Sequence, residues 1–420
     1  MTQLFSATLA AILIFLFGVG VASFVALVKG CFELRRLARS SSDDFAFVLL
    51  KSPLVPGISV IVTPPDAGPE SRAHVRRLLD LHFGSSEVVA VLDGPSQAEF
   101  ARWSDEFRLA GAERNATGNL PAGRVRGIYG SADPIHLVVV DIEPGGEASA
   151  FNAGVNVAQW PVLGLVDPES EFVPELLLHL IRPMLQDWER TAAVCGTAPP
   201  PVAPGLAGRI GALELARLWM VRCAAFHAWN MLAPVPGAAV LIKRQAVIAA
   251  GGFGRGPIAW FRQLHATGQR TTLVSAPVSC VRAPRTWAEL RRLTRRDQRQ
   301  LAGAIGPALF CVRVARPLLE TAAYAMAAAG LALGWIGVAE ALLVLLATAG
   351  VGIVISMAAV VLREFAAPNA VGPSQLAGLF FAAFPENLGY RQARNLWLIR
   401  DFFGALGGAT KTAAAPPAAA

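Results

Sequence analysis

The segment VLGLVDPESEFVPELLLHLI, from Val162 to Ile181, decides the fold of this chain. It opens with a short apolar run, Val162–Val166, that stops at Asp167, a pattern typical of a buried strand ending in a loop. Pro174 stands where a helix begins, and apolar residues recur every four positions from Leu177 onward, as on a helix that packs against a sheet. The segment therefore predicts a strand, an acidic loop and a helix.

The same alternation of short apolar runs and helix-like stretches continues on both sides of this segment. The apolar runs lie at 58–63, 88–92, 137–141 and 238–242, and the helix-like stretches at 70–82, 97–109 and 147–158. Continuous apolar runs of this length suit central strands that helices cover on both faces. The pattern predicts an α/β fold, a Rossmann-like domain with a mostly parallel central sheet.

Acidic residues follow two of these strands. Asp93 comes directly after VVAVL, and Asp167 and Glu169 come after VLGLV. The carboxyl ends of parallel strands line the crevice where such sheets bind ligands, and Pro168 restricts the backbone between the paired acids. Hard carboxylate oxygens suit Mg²⁺ or Mn²⁺, whereas an ordinary loop or a helix-capping role is the alternative for the same acids.

Two regions are apolar enough to lie in a membrane. Residues 4–28 carry no charge, and residues 317–362 carry only Glu320 and Glu340 and are divided at Gly334–Gly337. About 20 apolar residues span a bilayer, so the sequence predicts about three transmembrane helices: one anchor and one hairpin. Basic residues follow the anchor and flank the hairpin, which places residues from about 40 to 310 in the cytoplasm by the positive-inside rule.

The distribution of charge and of cysteine indicates which kinds of partner and site this chain has. Nine arginines and two acids lie between Arg282 and Arg316, which gives that stretch 9 − 2 = +7, equal to the formal charge of the whole chain. Because this basic stretch abuts a predicted membrane span, it favours contact with membrane lipids and argues against nucleic acid as a partner. The five cysteines are scattered, with no C-x-x-C pair, so neither a disulfide framework nor a zinc site is predicted.

Five motifs in this order carry a family resemblance. They are PGISVIVTPP, EVVAVLDGPS, GGEASAFNAGVNVA, VLGLVDPESEFVPELL and GAAVLIKRQAVIAAGGF, and the later segment ENLGYRQARNLWLIRDFF adds to them. Over about residues 50–405 the chain resembles the membrane-bound family-2 inverting glycosyltransferases, which include bacterial cellulose, hyaluronan and poly-N-acetylglucosamine synthases. The resemblance implies a GT-A-type domain that binds a nucleotide-diphospho-sugar.

The resemblance also implies roles for individual residues. Asp93 matches the family's acid that contacts the nucleotide, and Asn152 matches its asparagine at the sugar-nucleotide site. Asp167 and Glu169 match the D-x-D motif that binds metal and diphosphate, so Mg²⁺ or Mn²⁺ is the implied cofactor. An inverting transferase further requires a base that deprotonates the acceptor hydroxyl, usually a carboxylate.

The chain departs from the family pattern at three functional places. Glu147 stands where the family carries a lysine, no acid occurs between Gly251 and Gly268, and Gln300 replaces the tryptophan of the Q-x-x-R-W motif. The acceptor base is therefore not identified. His265 and Arg299 are the weak catalytic candidates, and a histidine in a helical stretch is more often a packed or surface residue.

These expectations give seven segments. They are an N-terminal transmembrane anchor (1–30), a basic cytoplasmic linker (31–50), a GT-A-like domain (51–281), basic interfacial helices (282–316), a transmembrane hairpin (317–362), cytoplasmic or interfacial C-terminal helices (363–410) and a disordered tail (411–420). The predicted location is the bacterial inner membrane, multi-pass, with the catalytic domain in the cytoplasm.

Two functions remain open at this point. The first is a membrane glycosyltransferase that transfers a sugar to an envelope polysaccharide or to a glycan or lipid-linked acceptor. The second is a catalytically degenerate relative that acts as a scaffold or regulatory subunit of an active synthase, with a membrane protein as its partner. The retained acids Asp93, Asp167 and Glu169 favour the glycosyltransferase. The acid at Glu147 and the absence of acids between Gly251 and Gly268 favour the scaffold.

Overall fold

The computed structural model describes residues 2–40, 55–132, 136–199, 201–254, 257–274, 276–302, 314–366 and 371–401. The chain forms two compact units. The helical unit comprises Met1–Val28, Pro204–Arg217 and Ile305–Ala420, and the α/β unit comprises Lys29–Ala203 and Leu218–Ala304.

Eleven described strands belong to the α/β unit. They are β1 Ile58–Val62, β2 Ser86–Asp93, β3 Leu109–Gly111, β4 Val125–Ser131, β5 Leu137–Ile142, β6 Val162–Val166, β7 Ser170–Phe172, β8 Thr191–Gly196, β9 Ala239–Lys243, β10 Arg270–Val274 and β11 Ser279–Val281. Nine strands form one sheet in the order β10-β8-β9-β6-β1-β2-β5-β4-β3, and β7 pairs with β11 in a second, small sheet. Strands β6, β1, β2 and β5 run parallel at the centre of the large sheet, while β9 and β4 flank them antiparallel.

The described helices connect these strands and build the helical unit. They are α1 Thr2–Ser40, α2 Pro69–Leu79, α3 Gln97–Phe107, α4 Glu147–Val157, α5 Leu176–Gln186, α6 Gly205–Leu218, α7 Phe226–Ala228, α8 Arg244–Ala249, α9 Pro257–Ala266, α10 Trp287–Ala302, α11 Arg316–Ala332, α12 Val338–Leu345, α13 Val351–Ala366 and α14 Pro373–Pro385, followed by helical residues 391–401. Three π-helical segments among the described residues, Trp219–Ala225, Leu346–Gly350 and Glu386–Tyr390, interrupt the regular helices.

The apolar runs of the sequence form the buried central strands of the α/β unit. Every residue of β1, β5 and β6 is buried, so these strands are covered on both faces. The apolar stripe on α5 packs against β8, β9 and β10 of the same sheet; Leu177, Ile181 and Met184 are 0% exposed, and Leu185 is half-buried. The parallel centre and the alternation of strands and helices confirm the predicted α/β class. The finer assignment as a GT-A-type domain stays a prediction.

The number of candidate membrane spans is smaller than predicted. Within the described residues two helices are long and apolar enough to cross a bilayer, Thr2–Arg39 and Val338–Ala366. The first helix of the predicted hairpin, α11, has 17 residues, fewer than the roughly 20 that a bilayer requires. Its Glu320 is buried and pairs with Arg391 at 2.8 Å. The prediction of about three spans was therefore wrong, and two candidates remain by length and composition.

Buried ion pairs hold the helical unit together. Arg217 on α6 pairs with Glu386, whose other hydrogen bond comes from the Ser356 hydroxyl at 2.8 Å. Arg394 pairs with Glu214 at 2.5 Å. Because a buried charge is costly unless it is paired, these contacts specify which helix faces meet. The sequence pattern, which counts apolar residues, does not reveal them.

Candidate functional site

The acidic loop after β6 is held by hydrogen bonds of its own backbone. Asp167 Oδ1 accepts a hydrogen bond from the Glu169 backbone N–H at 2.9 Å. The Ser170 hydroxyl donates to the Asp167 carbonyl at 2.7 Å, and Ser170 then begins β7. The tight turn presents the carboxylates of Asp167 and Glu169 on the same loop, as their spacing predicted.

Gly237 supplies the second backbone donor to Asp167. Its N–H donates to Asp167 Oδ2 at 3.1 Å from the turn that enters β9. The φ angle of Gly237 is +79°, a left-handed conformation that glycine adopts without cost. A Cβ here would also collide with the backbone of Val281 on β11. Only glycine fits this position, and with it the Asp167 side chain keeps one fixed orientation.

An arginine lies between the two carboxylates. Nη1 of Arg296, on α10, is 2.9 Å from Asp167 Oδ1 and 3.3 Å from Glu169 Oε2. Burial acts to lower the pKa of Arg296, but the neighbouring charges of Asp167 and Glu169 outweigh it and raise the pKa above its ordinary value. The guanidinium is therefore held as a cation in contact with both acids.

The position of Arg296 depends on its neighbour in the chain. Asp297 is buried and accepts a hydrogen bond from Arg222 Nη1 at 2.5 Å. Arg222, in the π-helical segment Trp219–Ala225, also donates to the carbonyl of Pro234. This buried ion pair fixes the rotation of α10 about its axis, so the preceding residue points at the acidic loop.

Asp93 lies at the end of β2, two strands away from β6 in the sheet, and organises a turn. Its Oδ1 and Oδ2 accept the backbone N–H groups of Gly145 at 2.7 Å and Gly146 at 2.9 Å. These glycines precede Glu147, the first residue of α4. Desolvation raises the pKa of Glu147, Arg296 opposes the rise and Asp167 adds to it. The ends of β2, β5 and β6 thus bring acidic residues to one edge of the sheet.

His74 and Arg77 of α2 flank the acidic loop. Arg77 Nη1 donates to the carbonyl of Ser170 at 3.4 Å, and its guanidinium lies 5.5 Å from the ring centre of Phe172. His74 Nδ1 is 3.1 Å from Arg77 Nη2. Burial, helped by Arg77, lowers the pKa of His74 to about 4, so this imidazole is neutral at physiological pH.

The remaining predicted residues lie in other surroundings. Asn152 is buried, its Oδ1 accepts from the Phe253 N–H at 2.8 Å, and its Nδ2 donates to the Pro121 carbonyl at 2.8 Å. His265 Nε2 is 2.9 Å from the Leu232 carbonyl. Arg299 belongs to α10, and its side chain lies outside the described residues. The functional roles of these three residues stay predictions.

The donor set fits a small hard cation that takes most of its ligands from elsewhere. Among the described residues no group of three or more His, Cys, Asp or Glu side chains is arranged to hold a metal ion. Asp167 and Glu169 offer two carboxylates, which is what Mg²⁺ or Mn²⁺ needs when a diphosphate and water complete its shell. A cavity of about 430 Å³ lies elsewhere, lined by Phe32, Arg35, Arg36 and Arg39 of α1.

Sequence reasoning missed two residues of this site. Arg296 was visible only as one of many arginines in a basic stretch, because its contact with Asp167 joins positions 129 apart. Gly237 was visible as a turn glycine in PVPGAAV, but the turn alone does not say which side chain its N–H meets. The arginine cluster was the one signal, and the sequence analysis assigned it to contact with membrane lipids rather than to the acidic loop.

Comparisons with known proteins add the following. No family model matches the chain, and no curated protein matches it significantly. Solved structures of similar arrangement include the mannosyltransferase PcManGT from Pyrobaculum calidifontis in complex with GDP-Man and Mn²⁺, with 17% identity, a TM-score of 0.49, and coverage of 89% of this chain and 99% of that one.

Two further structures are similar over shorter parts. S. aureus TarS 1-349 in complex with UDP-GlcNAc has 11% identity, a TM-score of 0.36, and coverage of 80% of this chain and 92% of that one. Glucosyl-3-phosphoglycerate synthase from Mycobacterium tuberculosis, in complex with Mn²⁺, UDP and phosphoglyceric acid, has 14% identity, a TM-score of 0.38, and coverage of 62% and 83%. At these scores the likeness by itself assigns neither a fold family nor a function to this chain.

Proposed function

We propose that this chain is a membrane-associated glycosyltransferase of the GT-A, family-2 type that uses a nucleotide-diphospho-sugar as donor. The observation that carries the proposal is the pair Asp167 and Glu169, set at the carboxyl edge of a parallel sheet beside a cationic side chain. In open α/β sheets this edge is where ligands bind. Two anionic groups on a rigid turn, with an arginine between them, suit a cation bound together with a diphosphate.

Asp167 and Glu169 would hold the metal, Mg²⁺ or Mn²⁺. When bound, such a metal neutralises charge that develops on the leaving diphosphate. The rest of the chemistry falls to the protein. Arg296 can donate hydrogen bonds to phosphate oxygens, because a guanidinium presents five N–H groups and stays charged. Asp93 orders the turn at Gly145 and Gly146 beside the donor.

The reaction, an inverting transfer, requires a base at the acceptor. Glu147, an exposed acid at the start of α4, lies within electrostatic reach of Arg296 and Asp167 and is a candidate for this base. His265 is a second candidate, with its Nε2 bonded to a carbonyl. The acceptor is an envelope polysaccharide or a lipid-linked glycan, and the apolar helices Thr2–Arg39 and Val338–Ala366 support a location at the bacterial inner membrane.

The alternative is a catalytically degenerate scaffold or regulatory subunit of an active synthase. Arg296 favours this alternative in one respect, since it already neutralises the carboxylates that a metal would use. A scaffold would keep this ion pair permanently. An enzyme would give it up when the donor binds.

A melting experiment separates the two. The detergent-solubilised full chain is titrated with UDP, GDP, ADP, CDP and dTDP, each with and without Mn²⁺, while its thermal midpoint is followed. A ligand at 100 times its dissociation constant stabilises by about 2.7 kcal/mol, so metal-dependent binding raises the midpoint clearly.

Asp167→Asn should abolish that rise, and Asp105→Asn, an exposed aspartate on α3, should preserve it. Unchanged melting with every nucleotide would refute the donor site and leave the scaffold. Transfer of labelled sugar from the stabilising nucleotide to a membrane extract then tests catalysis directly.

A further inference from the structure

We propose that Arg296 acts as a built-in cation of the donor site, which a divalent metal must displace from Asp167 and Glu169 when it enters. The inference rests on the proposed donor site and adds a competition to it. Arg296 and the metal exclude each other from the same pair of carboxylates. Binding of metal therefore frees the guanidinium for the diphosphate.

The geometry carries the first step. A surface arginine commonly meets one carboxylate with two nitrogens, but here one nitrogen, Nη1, meets two carboxylates. It lies 2.9 Å from Asp167 Oδ1 and 3.3 Å from Glu169 Oε2. A metal ligated by both side chains would lie between the same two oxygen atoms. Two cations at this position would repel each other, so the guanidinium and the metal compete for the two carboxylates.

The second step is that the arginine can leave without unfolding its helix. The helix is fixed by the buried pair between Asp297 and Arg222, whose side chains are 3% and 4% exposed. The Arg296 side chain is 27% exposed, and its long flexible stem can move while the helix stays in place. Helix α10 thus stays fixed while the guanidinium of Arg296 can move.

The third step concerns where the guanidinium goes. Glu147 is the remaining carboxylate whose charge acts on Arg296, after Asp167 and Glu169. It lies at the start of α4, beyond the turn that Asp93 holds. A guanidinium displaced from the acidic loop therefore stays at the edge of the sheet, where it can donate to a bound diphosphate.

The test measures binding of Mn²⁺ alone, by titration calorimetry, to the detergent-solubilised full chain and to two variants. Arg296→Gln removes the competing charge, and we expect Mn²⁺ to bind about tenfold more tightly, an order-of-magnitude figure for one close unit charge. Arg292→Gln removes an exposed charge from the same helix, and we expect a change of less than about twofold, because solvent screens it.

Equal or weaker Mn²⁺ binding by Arg296→Gln overturns the inference, and so does equal tightening by Arg292→Gln. The thermal midpoint without metal guards against misfolding: Arg296→Gln should melt below the wild type, and added Mn²⁺ should restore more of its stability than it adds to the wild type. If no variant binds Mn²⁺ while a nucleoside diphosphate still raises the midpoint, the inference fails and the donor site stands. If Arg296→Gln tightens Mn²⁺ binding and no nucleotide binds, the inference stands and the proposed function fails.

Discussion

Replacing Asp297 by alanine should destabilise the α/β unit strongly, because it leaves a buried arginine without its counter-ion. The side chains of Asp297 and Arg222 are 3% and 4% exposed, and the distance from Nη1 to Oδ1 is 2.5 Å. Breaking a buried ion pair by removing one partner costs about 3–5 kcal/mol, since the remaining charge keeps its desolvation cost. The Pro234 carbonyl still accepts a hydrogen bond from Arg222, so the lower half of that range is expected.

The assay is thermal unfolding of the detergent-solubilised full chain, followed by tryptophan fluorescence. For a unit of this size 1 kcal/mol shifts the midpoint by roughly 2–4 °C, so a loss of about 3–4 kcal/mol in Asp297→Ala should lower it by roughly 6–16 °C. Asp297→Asn keeps an acceptor oxygen and should fall between the alanine variant and the wild type. The double variant Arg222→Met, Asp297→Leu replaces both charges by apolar groups and should recover most of the loss.

Asp105→Ala serves as the matched control, since Asp105 is exposed on α3 and its loss should change stability by less than about 0.5 kcal/mol. The reasoning is refuted if Asp297→Ala melts within 2 °C of this control. It is also refuted if the double variant is less stable than Asp297→Ala. That result would mean that loss of both charges costs more stability than leaving Arg222 buried without its counter-ion.

Three further predictions concern separate parts of the chain. Burial lowers the pKa of His74 from 6.5 to about 4, so the folded chain binds fewer protons than the unfolded chain in that interval, and stability is lost as the pH falls from 6.5 towards 4. Between pH 7 and pH 5 His74→Gln should remove about 2 kcal/mol of this acid destabilisation, measured as a smaller fall of the midpoint than in the wild type. Asp93→Ala should speed amide exchange at Gly145 and Gly146 about tenfold, since charge-assisted hydrogen bonds contribute about 1.5–3 kcal/mol, and unchanged exchange would contradict the assigned turn. Gly352→Ala should cost about 1–3 kcal/mol, because its Cβ would overlap the side chains of Asn387 and Arg391, whereas Gly350→Ala meets only Leu346 at 3.6 Å and should be neutral; equal midpoints would count against the packing.

The strands at the centre of the α/β unit were predictable because a strand buried on both faces appears in the sequence as a continuous run of apolar residues. Strands β1, β2, β5 and β6 are runs of apolar residues with few interruptions, whereas the half-exposed strands β3 and β4, between β2 and β5, were not predicted. The candidate membrane spans were less predictable. Hydropathy placed a span near α11, but its length and the pairing of Glu320 with Arg391 depend on where the helix ends and which helix it meets.

The candidate site was predictable in its acids but not in its contacts. The positions of Asp93, Asp167 and Glu169 follow from strand ends, which the sequence locates. Their partners do not, because hydrogen bonds from Gly145 and Gly237 and the ion pair with Arg296 join distant parts of the chain. A local pattern gives the loop, and only the tertiary fold decides which cation faces it.

The departure at Glu147 takes on a different meaning in three dimensions. A lysine was expected there from the family resemblance, and an acid at this position removes positive charge from the proposed donor site. The charge of Arg296 acts on Glu147 as well as on Asp167 and Glu169, so a cation absent from α4 is present on α10 at the same edge of the sheet. With a lysine at 147 and an arginine at 296, two cations would repel each other beside the loop. An acid at 147 avoids that repulsion, so the charge at 147 is compatible with the arginine that Asp167 and Glu169 hold at the site.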